Sequence, residues 1–336
     1  MSQSKSAKRS KSTINEAGST FDTPLWKWGA GAAAVGTILA GTALLNGRRT
    51  KRAEDDNPAV GKFVTVDGVK LHYLDRGAGR SLVLLHGSGT MIEDWIVSGV
   101  FDELAKNFRV IAFDRPGFGH SERPRSRVWT PSAQAALFAK ALDKLNFEKP
   151  IVVGHSFGTQ VTVALALEHP ESVAGIVLIG GYFYPSLRAD VLVASQPAIP
   201  LVGDVMRYTV SPLIGSVMTP LINSKIFNPA PVSERWEKEF PMEMTLRPSQ
   251  IRAEAAEAAL MIPAAATLSK RYEDLDLPVT IIAGRGDDIV TMEKQSERLH
   301  AALPHSRFLP IEGAGHMVHH TALDEVIGAI TAARQN

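Results

Sequence analysis

The chain has 336 residues, a formal net charge of +1 and no cysteine, which excludes disulfides and thiolate metal sites and leaves room for one large core or a core with an insert. The first 52 residues carry nine Lys/Arg against Glu16 and Asp22, so the remainder has a net charge of −6. A mildly acidic body without a basic stripe argues against nucleic acid as a partner, because neutralising phosphates requires clustered Lys and Arg.

Residues 1–24 are Ser/Lys-rich and poor in aromatics, so they bury too little apolar surface to fold alone and are expected to be disordered. A transmembrane helix is expected over 25–47. Its centre, residues 28–45, has no charge and lies between Trp26/Trp28 and the basic cluster Arg48–Arg52, an arrangement that suits the two interfaces of a bilayer. A cleaved signal peptide is the rival reading, with Gly41-Thr42-Ala43 as its small-residue site. Ala32, Gly36 and Ala40 stand four apart, a weak helix-pairing face. The protein is therefore expected at a membrane through a single N-terminal anchor, with the bilayer as a partner through residues 28–45. The denser cluster at 48–52 leans toward a cytoplasmic domain, while similar Lys/Arg counts at the two flanks leave the side open.

After a linker at 53–58, Phe63–Val66 and Val69–Leu74 flank Asp67-Gly68, a two-residue hairpin signal. Apolar runs at Leu82–Leu85, Val110–Phe113, Ile151–Val153 and Ala174–Ile179 then alternate with helical stretches, and Val279–Ala283 and Phe308–Ile311 follow a long gap. Strand–helix alternation of this kind predicts an α/β fold with a doubly wound, mainly parallel sheet, occupying 60–181 and 277–334. Thr130-Pro131 reads as an N-cap with proline at the first helical position. The gap at 182–276 is too long for a bare loop and predicts an inserted helical cap. Ten of the twenty prolines lie in it, so its helices are expected to be short and often broken. Its aromatic and Met side chains are expected to form its own core and a lid over an apolar pocket at the strand ends.

The sequence Gly154-His155-Ser156-Phe157-Gly158 follows the Ile151–Val153 run and leads into a helical pattern. A G-x-S-x-G elbow of this kind holds a serine in a strained turn with its hydroxyl exposed, and glycines two positions either side let strand and helix approach. His86-Gly87-Ser88-Gly89, Asp114–Ser121, Gly284-Arg285-Gly286-Asp287 and Gly313-Ala314-Gly315-His316 each follow another strand. With these motifs the chain resembles the α/β-hydrolase fold family over roughly 60–334, and more narrowly its cap-bearing serine hydrolases, similar to epoxide hydrolase-like and haloperoxidase-like members but with a serine at the elbow.

The resemblance implies Ser156 as nucleophile, His316 as its base and Asp287 as the acid that orients the base, in the chain order this fold uses. It also implies an oxyanion hole made by the backbone N–H groups of Ser88 and Phe157. Asp288, the neighbour of Asp287, is expected to be solvated. The alternative acid position, just after the fourth parallel run, is Gly180-Gly181 and offers no carboxylate. His86 and His155 read as structural or pocket-lining groups. His319 and His320 read as the start of an exposed helix, their spacing from His316 lacking the second ligand pair of a zinc pattern. The Asp114–Ser121 loop lacks a phosphate-cradle spacing and reads as a structural turn. No metal and no cofactor are expected. The expected activity is hydrolysis of a small or medium apolar carboxylic ester through acyl-Ser156. Carbon–carbon bond hydrolysis or cofactor-free perhydrolase chemistry is the alternative, and an inactive binding protein on the same fold is the non-enzyme reading.

Overall fold

The computed structural model describes the backbone of residues 25–333 and side chains from residue 32 onward. It opens with α1 (Leu25–Asp56), a helix of 32 residues. The sequence reading ended this helix at residue 47 and made 53–58 a linker. The helix instead runs through the basic cluster to Asp56, because Lys51 and Arg52 pair with Asp55 and Asp56 one turn on and no helix breaker stands before Pro58. Among the described residues no helix is long and apolar enough to cross a membrane. The span expected at 25–47 is not found there. Its side chains up to residue 31 lie outside the described residues, and the rest is diluted by Gly36, Gly41 and Gly47 before it meets Arg48. The 1–24 segment expected to be disordered also lies outside the described residues. Two compact units divide at Gly41, and the second, beginning at Thr42, holds the sheet and the candidate site.

The sheet has eight strands in the order β1-β2-β4-β3-β5-β6-β7-β8. β1 (Lys62–Val66) and β2 (Val69–Arg76) form the expected antiparallel hairpin. Asp67 and Gly68 both have positive φ, 49° and 77°, the geometry that a two-residue turn between twisted strands requires. β2 pairs antiparallel with β4 (Arg109–Phe113). From there β3 (Ser81–Leu85), β5 (Ile151–His155), β6 (Gly175–Ile179), β7 (Val279–Gly284) and β8 (Arg307–Ile311) are all parallel to their neighbours. Because β3 lies between β4 and β5, the chain winds outward in both directions from it, and the crevice beyond its carboxyl end is where such sheets bind ligands.

α2 (Ile92–Val97), α3 (Val100–Ala105), α4 (Pro131–Lys144) and α5 (Phe157–Glu168) fill the crossovers. Alternation along the strands sorts the core into two layers. Val83 and Leu85 face Leu137, Phe138, Val161 and Leu165 on one side, while Leu82 and Leu84 face Trp95, Phe101, Val326 and Ile330 on the other. Thr130 caps α4 as expected, its hydroxyl accepting from the Ala133 N–H at 3.1 Å with Pro131 next in line.

Between β6 and β7 the chain builds α6 (Ala189–Ala194), α7 (Val202–Tyr208), α8 (Val210–Phe227), α9 (Glu234–Glu239), α10 (Met242–Thr245) and α11 (Pro248–Leu268). Four of these helices are short as expected, α6, α7, α9 and α10 having 6, 7, 6 and 4 residues, but α8 has 18 residues and α11 has 21, with Pro220 and Pro263 inside them. Both interior prolines are exposed, so the carbonyl that each leaves without an N–H partner stays within reach of water. Pro248 opens α11, where a missing N–H costs nothing. Phe227, Trp236, Phe240 and Met244 form one cluster with Met91 and Met317, Trp236 stacking on Phe240 at 3.9 Å. Met91 and Met317 follow the ends of β3 and β8, so the core of this insert is closed by residues beside the candidate site. Ala53 of α1 joins the cluster, and Asn46 Nδ2 donates to the carbonyls of Tyr208 and Thr209 at 3.0 and 2.7 Å. The folded body therefore starts earlier than the expected residue 60. α12 (Arg298–Ala302), α13 (Val318–Thr321) and α14 (Leu323–Ala332) complete the chain.

Candidate active site

Ser156 stands at the corner between β5 and α5 with φ 51° and ψ −120°, a left-handed conformation that a non-glycine residue adopts only under local constraint. The constraint is close backbone packing. A side chain on Gly154 would start 2.5 Å from Thr162 Oγ1 and 2.6 Å from the Gly158 carbonyl oxygen, and one on Gly158 would start 2.3 Å from that of Leu85. Strand and helix meet this tightly only because both positions lack a Cβ.

Loops after β7 and β8 bring the other two groups. His316 Nε2 lies 3.0 Å from Ser156 Oγ, and His316 Nδ1 lies 2.8 Å from Asp287 Oδ2. A carboxylate only accepts, so Nδ1 carries the proton and Nε2 is left to take one from the serine hydroxyl. The other Asp287 oxygen accepts from the N–H groups of Ile289 and Val290, each at 2.8 Å, which locks the carboxylate in place. Asp288 turns outward and accepts from Asn228 Nδ2 at 2.7 Å. A side chain on Gly180 would begin 3.4 Å from His316 Nδ1.

The loop after β3 lies against Ser156: a Cβ on Gly87 would be 3.1 Å from that of Ser156. Ser88 follows it, and its N–H has no acceptor among the described residues. Phe157 is the first residue of α5, a position whose N–H has no partner within the helix. Two N–H groups without a partner among the described residues, next in line to a hydroxyl that is bonded to an imidazole and through it to a carboxylate, make a candidate arrangement for acyl transfer.

A model of the alpha/beta hydrolase fold matches residues 80–323. The chain belongs to the alpha/beta hydrolase fold family. Over 129 residues it is 39% identical to a 2-hydroxymuconate semialdehyde hydrolase of Pseudomonas sp. (strain CF600), a match that covers 38% of this chain and 46% of that protein. It is 28% identical over 268 residues to a 2-hydroxy-6-oxo-2,4-heptadienoate hydrolase of Pseudomonas putida, covering 78% of this chain and 91% of the relative. Among solved structures, a bacterial membrane phospholipase A superposes with a TM-score of 0.64 at 19% identity, covering 93% of this chain and 97% of that one. At that identity the likeness shows the fold alone.

The remaining histidines of the hydrolase are placed by partners that the sequence did not reveal. His86 is fully buried, with Nδ1 donating to the Gly87 carbonyl at 2.7 Å and Nε2 accepting from the Arg115 N–H at 2.9 Å. Burial first, and the Arg115 charge next, push its pKa down to about 4, so it is a neutral spacer. His155 Nε2 donates to the His316 carbonyl at 3.1 Å, and burial and the neighbouring His319 and His316 lower its pKa. His319 and His320 were expected on an exposed helix. Both instead turn inward to Asp94 of α2, His319 Nε2 at 2.9 Å and His320 Nε2 at 2.7 Å from the same Oδ1, and His319 is fully buried. A buried carboxylate needs donors, and these two imidazoles supply them. Burial alone would raise the Asp94 pKa, but the two histidines hold it well below the usual carboxylate range. The ligand atoms of Asp94, His319 and His320 lie within 4.8 Å of one another, the spacing of a cation site, where none was expected from sequence.

The Asp114–Ser121 loop also does more than turn. The Asp114 carboxylate accepts from Ile92 N and His120 N, both at 2.9 Å, and from His72 Nδ1 at 2.7 Å. Arg115, fully buried, donates through Nε and Nη2 to the carbonyls of His86 and Gly87 at 2.7 and 2.9 Å and pairs with Glu257 of α11. Burial works to raise the Glu257 pKa, but the Arg115 charge and hydrogen bond lower it below the usual range. One guanidinium thus clamps the Ser88 loop to the cap. Glu254, one turn earlier on α11, brings its Oε1 to 3.3 Å from where a side chain on Gly89 would begin.

Proposed function

We propose that the hydrolase cleaves a carboxylic ester of an apolar substrate through acyl-Ser156. The observation that carries this reading is the unbroken line Ser156 Oγ–His316–Asp287, with links of 3.0 and 2.8 Å. In the first half-reaction the Ser156 proton passes to His316 Nε2 as Oγ bonds to the ester carbon, and the Ser88 and Phe157 N–H groups hold the oxygen that becomes negative. His316 returns the proton to the departing alkoxide as the carbon–oxygen bond breaks. A water molecule then repeats the sequence on the acyl-serine and releases the acid. Catalysis by such a line rests on geometry, and Asp287 serves it by holding the tautomer of His316 and stabilising the imidazolium.

Glu254 bears on substrate charge. Its carboxyl stands beside Gly89, adjacent to Ser88, and burial first, then the Glu257 charge, push its pKa up to about 7, so it is only partly ionised near neutral pH and opposes a substrate carboxylate only above that range. Carbon–carbon bond hydrolysis is the alternative, and the comparisons support it better than the ester reading, since the two Pseudomonas relatives are named as hydrolases of oxo-dienoate or semialdehyde compounds. The same acyl-serine serves either bond. Turnover of a 2-hydroxy-6-oxo-dienoate measured beside a chain-length panel of nitrophenyl and glyceryl esters decides between them: a higher kcat/KM for the dienoate overturns the ester reading. Loss of fluorophosphonate labelling in Ser156→Ala tests the nucleophile for both.

Membrane attachment through residues 28–45, with the side of the catalytic unit open, is proposed on the charge-free length and its basic flank. Carbonate extraction of membranes tests it, because release of the full-length protein contradicts an anchor.

A further inference from the structure

α8 is apolar on the side that the protein leaves open. Leu213, Ile214, Val217, Met218, Leu221 and Ile222 repeat at a spacing that covers half of the helix surface, and all six are exposed, Val217 by 79% and Leu221 by 63%. Of its 18 residues only Pro212 and Phe227 are buried, and no charge appears before Lys225. On α7, Val202 and Val205 are also exposed, by 59% and 52%. Soluble monomers seldom leave so continuous an apolar face to water, and such faces mark partners.

The segment joined to this face indicates which partner. Asn46 ties α1 to the junction of α7 and α8 through the Tyr208 and Thr209 carbonyls. Leu44 and Leu45, just before Asn46, are exposed by 59% and 58%, and Arg48 and Arg49, one turn further along α1, are exposed as well. Apolar side chains followed within one turn by cations is the order in which a chain passes from acyl chains to headgroups. Upstream of Leu45 the sequence continues without a charge back to Trp28.

We propose that the exposed face of α7 and α8 rests on a lipid bilayer surface. Its apolar side chains lie at the boundary of headgroups and acyl chains, as amphipathic surface helices do, while Arg48 and Arg49 meet anionic headgroups. The placement holds the insert over the candidate site against the same surface. It is independent of the bond that Ser156 cleaves and of whether residues 28–45 span the bilayer.

The chain has no cysteine, so single labels can be placed in the full-length protein. An NBD fluorophore on Val217→Cys, with a second protein labelled at Leu221→Cys and a control on the exposed Lys140→Cys of α4, is mixed with vesicles of phosphatidylcholine and phosphatidylglycerol in about a 3:1 ratio. Both cap labels are expected to shift to the blue and brighten by about twofold or more, and doxyl-labelled lipid to quench them, while the control does neither. Cap labels that stay unchanged on protein floating with the vesicles overturn the proposal. So does a blue shift that follows protein concentration without lipid, which would assign the face to a second copy of the chain. Because no step reads turnover, failure of the ester reading leaves this result intact.

Discussion

Leu84 and Leu221 are the same side chain in opposite settings. Leu84 lies in β3 with no exposed surface, packed between neighbouring strands and the helices of one layer, whereas Leu221 on α8 is 63% exposed. The sheet buries its apolar residues on both faces and thereby fixes the strand ends that carry Ser88, Ser156 and Asp287. The cap keeps its aromatic core around Trp236 but turns a second apolar set outward. Precision in this protein is a property of the sheet, where close packing admits few arrangements; the outward face of α8 is suited to a fluid, non-specific surface.

The comparison is tested hardest at the strand ends. Ser156→Ala is expected to reduce kcat on the best ester by roughly 10⁴-fold or more, since only binding and the oxyanion donors remain, and steady-state kinetics with a labelling gel measures this. Next, Asp287→Asn should cost roughly 10²- to 10⁴-fold in kcat, because an amide at this position no longer imposes the tautomer of His316. Asp288→Asn should stay within about tenfold, and the opposite ranking of the two would move the orienting role to Asp288. In the sheet, Leu84→Ala should lower unfolding free energy by about 2–5 kcal/mol in a denaturant titration, through lost burial and the cavity left behind.

A smaller effect should come from pH. His86 has a pKa near 4 in the folded chain and 6.5 unfolded, so below pH 6.5 the unfolded chain binds a proton that the folded chain refuses. Stability from this group is complete above pH 6.5 and is lost as pH falls toward 4, with a slope of about 1.4 kcal/mol per pH unit. His155, lowered in the same direction, steepens the slope. Glu93 and Glu254, each pushed up to about 7, act in the opposite sense over the same window, so the check is made on the ring itself: an NMR titration in which His86 takes up its proton near pH 6.5 would contradict its burial. The least effect is expected on the cap: Leu221→Ala should change unfolding free energy by no more than about 0.5 kcal/mol without lipid, as exposed positions do. A loss comparable with that of Leu84→Ala would mean that the face is covered within the protein itself.

Much of the site was legible because this fold places reactive groups directly after strands. Short β-branched runs mark the strands, and Gly154, Ser156, Asp287 and His316 each follow one by a small number of residues, so local pattern leads to loops that the structure brings together. Asp94, His319 and Glu257 follow no such rule. Asp94 and His319 are 225 residues apart, and Arg115 and Glu257 are 142 apart, and nothing within a sequence window makes one the partner of the other. A charged residue in an amphipathic stretch reads as solvated until a second element covers it. That is why His319 and His320 were assigned to an exposed helix and Arg115 to a plain turn. The prolines inside α8 and α11 misled for a related reason. Proline forbids a buried helix interior but is tolerated where the freed carbonyl faces water, and the sequence does not say which side of α8 is open.

The sequence by itself determined the alternating strands and helices, the elbow that strains Ser156, the order of the three candidate catalytic groups and the presence of an insert, because these depend on side-chain period, backbone sterics and spacing along the chain. Only the tertiary structure decided that α1 continues to Asp56 and is fastened to the cap through Asn46, that one arginine joins the Ser88 loop to α11, that two histidines turn inward to Asp94, and that α8 shows its apolar half to the outside. Each of those depends on which distant surfaces meet, and burial is a property of the packed pair of surfaces, which neither segment carries alone.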